Sequence, residues 1–69
     1  METIFDLRND YIELIKLLKL TNLCATGGEA KVVVSGGLVE VDGEVEFRKK
    51  RKIRSGQSVS FGQHTVLVK

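Results

Sequence analysis

At Gly36-Gly37 the spacing of apolar residues changes from a helical period to alternation, and this switch limits the folds open to the chain more than any other feature. Before the glycines, Ala30, Val33 and Val34 recur at i, i+3, i+4 behind Thr26-Gly27-Gly28-Glu29, which has the spacing of a capping box. After them, Val39, Val41, Val45 and Phe47 alternate with Glu40, Asp42, Glu44 and Glu46 around Asp42-Gly43. Val32-Val33-Val34 taken alone suits a strand equally well, because three β-branched residues favour extended backbone. The glycine pair decides for a helix, since it stands where a helix ends in a left-handed residue. The spacing therefore predicts a short helix over Gly27–Ser35, with Lys31 on its outer flank, and a sheet beyond it.

Asp10 with Glu13 three residues on predicts the start of an earlier helix, whose stripe is Tyr11, Leu14, Ile15 and Leu18 and whose wet side is Glu13, Lys16 and Lys19. Thr21-Asn22 ends it in a loop running to Thr26. For the hairpin at Asp42-Gly43, a three-residue loop with Gly43 left-handed sets Val39 against Val45 and keeps the valines on one face with Phe47. The acidic set Glu40, Asp42, Glu44 and Glu46 then forms the wet face, and can neutralise part of the basic run that follows. Ser55-Gly56-Gln57 reads as a turn and Ser58–Phe61 as a strand. A type II′ turn at Gly62-Gln63 pairs Val59 with Val66 and Phe61 with His64, which points His64 inward. Thr3–Leu7 is a further short strand, although it alternates poorly. The expected architecture is α+β: two short N-terminal helices packed on a small antiparallel sheet of four or five strands.

Composition narrows the class. A chain of 69 residues, 42% hydrophobic and 29% charged without proline, suits one small domain spanning 1–69. No apolar run approaches the roughly 20 residues of a membrane span. The acidic start Met1-Glu2-Thr3-Ile4-Phe5-Asp6 lacks the pattern of a secretory signal, so a cytoplasmic location without membrane attachment is expected. A single cysteine, Cys24, excludes an internal disulfide, and a single histidine, His64, leaves little from which to build a metal site or a catalytic triad. Cys24 reads as a small buried hydrophobe and His64 as a packed strand residue. The expectation is a protein that is not an enzyme, with no metal, cofactor or small-molecule substrate.

The net charge of +2 conceals a strong asymmetry. Residues 1–47 carry four basic and nine acidic side chains, whereas residues 48–69 carry seven basic and none acidic. Six of the basic residues lie within Arg48-Lys49-Lys50-Arg51-Lys52-Ile53-Arg54, a density that sets up a strong local field and points to a polyanion. If the run is a regular strand, at most half of it faces one way and the rest must curl round or face the opposite side. Neutralising four to six phosphates gives a log–log salt slope on the order of −3 to −5. Gly27-Gly28 offers backbone N–H groups at the positive end of a helix dipole, with Lys31 one turn on. Phe47 and Phe61 fall on core faces, which leaves no stacking platform, so contacts by shape to folded RNA fit better than single-strand or duplex readout. Docking of the basic run on an acidic protein is the alternative; attachment to anionic lipid is disfavoured, because the chain lacks the amphipathic anchor that usually accompanies such a run.

Thr26-Gly27-Gly28-Glu29-Ala30-Lys31, the hairpin Gly37-Leu38-Val39-Glu40-Val41-Asp42-Gly43 and Gly56-Gln57-Ser58-Val59 together resemble the αL RNA-binding motif of ribosomal protein S-four, over a core of about residues 11–61. The basic run and the Ser-Phe-Gly-Gln-His-Thr-Val ending are similar to the small stand-alone bacterial members, the YbcJ-like group. The resemblance implies binding of structured RNA, often ribosomal, by the two-helix hairpin together with the loop that follows, and a monomer is expected. Carried over by position, it implies an RNA face of Thr26, Gly27, Gly28, Lys31, Gly43, Arg48, Lys49, Lys50, Arg51 and Lys52. Many members of the wider family place an arginine just after the cap where this chain has glycine, which shifts weight onto Lys49, Lys50 and Arg51.

Overall fold

The computed structural model describes all 69 residues. In chain order the elements are β1 (Glu2–Phe5), β2 (Ile12–Glu13), α1 (Leu14–Leu20), α2 (Gly27–Ser35), β3 (Val39–Val41), β4 (Glu44–Val45), β5 (Lys52–Ile53), β6 (Ser58–Phe61) and β7 (His64–Val68). Five strands form one sheet in the order β1-β7-β6-β3-β4, and β2 pairs with β5 in a separate two-stranded ribbon. The α+β class therefore holds, with two corrections. The main sheet is mixed, because β1 runs parallel to β7. The helices do not open the chain, because β1 and β2 precede them.

α2 follows its sequence signals. The Thr26 hydroxyl accepts from the Glu29 N–H at 3.1 Å, and the Glu29 carboxylate reaches back to the Ala25 N–H at 2.6 Å. One first-turn donor that a helix leaves unsatisfied is thereby occupied, and with it the N–H of the residue just before the cap. Ala30, Val33 and Val34 are buried, and Gly37 ends the element at φ +75°.

α1 departs from its signals. Glu13 takes the cap position in extended backbone, without a side-chain hydrogen bond, and Tyr11 is exposed. The Asp10–Glu13 capping box does not form, because Ile12 and Glu13 are drawn into antiparallel register with Ile53 and Lys52. Burying Ile12 and Ile53 together removes more apolar surface from water than an extra helical turn over residues 10–13, whose side chains are mostly polar, could. Leu14, Leu17 and Leu18 then form the buried stripe.

The Asp42-Gly43 hairpin closes with a two-residue turn: Val41 faces Glu44 and Glu40 faces Val45. Both turn residues have positive φ, +53° and +86°, the type I′ geometry that an Asp-Gly pair adopts readily and that matches the twist of the strands. The expected three-residue loop, with Val39 against Val45, is therefore incorrect. Its consequence is an exchange of faces, in which Glu46 is buried while Val45 and Phe47 are exposed. Local turn chemistry prevailed over hydrophobic alternation, which a strand of two residues enforces weakly.

The β6–β7 hairpin has the expected register, Val59 with Val66 and Phe61 with His64, across a turn in which Gly62 alone has positive φ. Val59 and Val66 are fully buried and Phe61 is half-buried. His64 is exposed rather than inward, because it closes the hairpin directly beside the exposed Gly62-Gln63 turn. Thirteen apolar side chains from both helices and five strands, with Cys24 from the loop between the helices, share one core.

Candidate nucleic-acid interface

The basic run is fixed by its backbone. The helix α1 begins with N–H groups that have no partner inside the helix, and two of them donate into the run: Leu14 N to the Arg51 carbonyl at 2.9 Å, and Ile15 N to the Lys49 carbonyl at 3.3 Å. A turn closed by Arg51 N to Arg48 O at 3.2 Å precedes this contact, and the β2–β5 ladder follows it. The missing side-chain cap on α1 is thus replaced by main chain from residues 37 and 34 positions away. Ile53, fully buried, pins the far end.

The turn changes how the cations are displayed. Only Lys52–Ile53 is strand, so Arg48–Arg51 curl round instead of alternating. Arg48, Lys50, Arg51, Lys52 and Arg54, with Gln57, line one open basin of about 740 Å³ that has no hydrophobic side chain in its wall. Lys49 lies outside it. Arg54 and Gln57 extend the wall beyond the sequence-assigned residues, Arg54 as the end of the same run. Gln57 braces the wall: its side-chain oxygen accepts from Arg54 N at 2.8 Å, while its nitrogen donates to Asp42 at 3.0 Å. That hydrogen bond, with a second from Ser58 N at 2.9 Å, lowers the pKa of the Asp42 carboxyl.

Glu46 is the countercharge. Its carboxylate accepts Arg48 Nε at 2.9 Å, Arg48 Nη2 at 3.0 Å, the Arg48 backbone N–H at 3.0 Å and Arg51 Nη1. These donors, Arg48 foremost, bring its pKa down to about 2 despite the opposing effect of burial. The expected wet face of the hairpin thus loses Glu46, which is buried against Arg48 and Arg51, while Glu40, Asp42 and Glu44 remain exposed. The pairing neutralises part of the run and fixes Arg48 and Arg51, leaving Lys50, Lys52 and Arg54 as the basin's cations without a carboxylate partner. Lys52 Nζ and Arg54 Cζ lie 5.0 and 5.8 Å from the centre of the Tyr11 ring, close enough for cation–π attraction.

The other sequence-assigned positions stand apart from this wall. Thr26, Gly28 and Lys31 are exposed at the start of α2, Gly27 is half-buried against the Lys19 side chain, and Gly43 is exposed at the tip of its hairpin. None of them lines the basin.

A family model described as the S4 domain matches residues 5–69. The chain belongs to the S4 domain family. Among its relatives, YbcJ of Escherichia coli (strain K12) is 46% identical over 61 residues, spanning 88% of this chain and 87% of that protein. YbcJ of Shigella flexneri matches at the same identity and coverage. The solution structure of YbcJ from Escherichia coli, described as revealing an αL motif involved in RNA binding, superposes with a TM-score of 0.74 at 45% identity. That superposition takes in 96% of this S4 chain and 85% of the solved one. No helix here is long and apolar enough to cross a membrane.

Proposed function

We propose that this protein is a non-catalytic module that binds structured RNA, ribosomal RNA or RNA in a ribosomal particle, as a cytoplasmic monomer without cofactor or metal. The observation that carries the reading is the basin: five cationic side chains around an open wall without a hydrophobic residue, held to the core by main-chain hydrogen bonds. Such a surface suits phosphates, which are read by charge and position. Fixed cations forfeit little side-chain entropy on binding, and Glu46 supplies the fixing for two of them. The RNA-binding motif ascribed to the solved YbcJ structure supports the same reading. In it Arg48, Lys49, Lys50, Arg51 and Lys52, with Arg54, contact the backbone, and Thr26, Gly27, Gly28 and Lys31 at α2 and Gly43 at the hairpin tip extend the face.

The test is fluorescence anisotropy with a labelled ribosomal RNA hairpin and the double variant Lys50→Ala/Lys52→Ala, which leaves the Glu46 pairs intact. Binding should weaken, and the log–log salt slope should become shallower by about 2, one for each lost phosphate contact. Unchanged affinity and slope would refute the assignment, and saturable binding to an acidic protein with no RNA binding would replace it by an adaptor role.

A further inference from the structure

Resting on the reading of this protein as an RNA binder, we infer that Phe47 is a stacking platform for one unpaired nucleobase, so that the preferred RNA carries a bulged or looped-out nucleotide beside its helix. The type I′ turn at Asp42-Gly43 turns Phe47 out of the core, leaving it 62% exposed. The ring is nonetheless supported. A Cβ built on Gly37 would lie 3.2 Å from Phe47 Cε1 and 3.4 Å from Cζ, so the ring edge rests on a backbone position without a side chain. Val45, 48% exposed on the same outer face, stands 3.8 Å from that point. An aromatic ring seated on main chain and open to solvent offers a π-face at small cost in side-chain freedom.

The surrounding charge selects the occupant and its orientation. Phe47 immediately precedes the basic run, and Lys49 is the member of that run that does not face the basin. On the other side Glu40 stands opposite Val45 and is exposed on the same face. A nucleotide stacked on the ring therefore has its phosphate toward residues 48–50 and away from β3, continuous with the phosphates in the basin. A second copy of this chain is a poor occupant, because a two-fold contact through Phe47 would bring two runs of six cations together.

The experiment compares two RNA hairpins, one fully paired and one carrying a single unpaired adenosine, with the wild type and with Phe47→Ala, Phe47→Leu and Phe47→Tyr. The wild type should prefer the hairpin with the unpaired base. Phe47→Ala and Phe47→Leu should bind that hairpin on the order of 5- to 150-fold more weakly, while their affinity for the paired hairpin holds and Phe47→Tyr behaves as wild type. Leucine keeps Gly37 covered, so equal loss in both variants separates stacking from packing, and a thermal melt of each confirms folding. Because the chain has no tryptophan, Phe47→Trp also supplies a single fluorophore whose emission should be quenched by the unpaired base alone. Equal wild-type affinity for the two hairpins, equal loss of both in the variants, or a dimer that Phe47→Ala dissociates would overturn the platform while leaving the basin reading standing. Failure of the wild type to bind either hairpin would instead overturn the RNA reading beneath it.

Discussion

Replacing Glu46 by glutamine removes the countercharge and keeps the shape. The carboxyl's fall from 4.5 to about 2 means that the ionised form is favoured by the fold. At about 1.4 kcal/mol per tenfold change in acidity the ceiling is about 3 kcal/mol. Arg48 is 71% exposed, so water already screens the larger of the two pairs, and about 1–2 kcal/mol is the expected loss in Glu46→Gln at pH 7. In a domain of this size that lowers the melting temperature by about 4–16 °C. The sign in acid follows from the same shift. A carboxyl with a folded pKa below its unfolded one stabilises above the unfolded value, about 4.5, and loses that contribution as pH falls toward about 2. Urea unfolding of wild type and variant should therefore diverge most above pH 5 and converge as pH falls to 2. Equal stabilities at pH 7, or a gap that stays constant down to pH 2, would refute the account of how the basin wall is held.

Other substitutions test neighbouring steps. Thr26→Ala removes the α2 cap and should cost about 1 kcal/mol by thermal or urea unfolding, with Thr26→Ser recovering most of it. Gly37→Ala places a Cβ at φ +75° and 3.2 Å from Phe47, and should destabilise by about 1–2 kcal/mol, whereas Phe47→Ala in the same chain should return only the part due to the ring. The Cys24 thiol, buried and with its pKa pushed up by desolvation and by Glu29, should react with a thiol reagent only as fast as the protein opens, and at full rate in urea.

What could be read from the sequence was what local signals and distant packing both favoured. Thr26, Glu29 and Gly37 bound α2, and its buried face agrees with them, so α2 lies where its spacing puts it. Gly62 likewise sets the β6–β7 register. Elsewhere a partner distant in sequence decided the outcome. Ile12 has no reason to be extended until Ile53 is beside it, and β1 pairs with the strand most remote from it in the chain. At Asp42-Gly43 two local rules conflicted, and the turn prevailed over the alternation, with the result that Glu46 and Phe47 exchanged roles. The basic run was evident from composition, but its curled display was not, because the hydrogen bonds that shape it come from the first turn of α1. Arg54 and Gln57 joined the wall through contacts that composition does not reveal, the Gln57 side chain accepting from Arg54 N and donating to Asp42.

The most direct measurement is a titration of the protein with one folded ribosomal RNA hairpin and with the DNA of the same sequence, repeated at several salt concentrations. Binding to the RNA should be the tighter, with a log–log salt slope on the order of −3 to −5 if the basin gathers its phosphates. Equal and weak binding to both, with no dependence on Lys50 and Lys52, would contradict the RNA-binding reading.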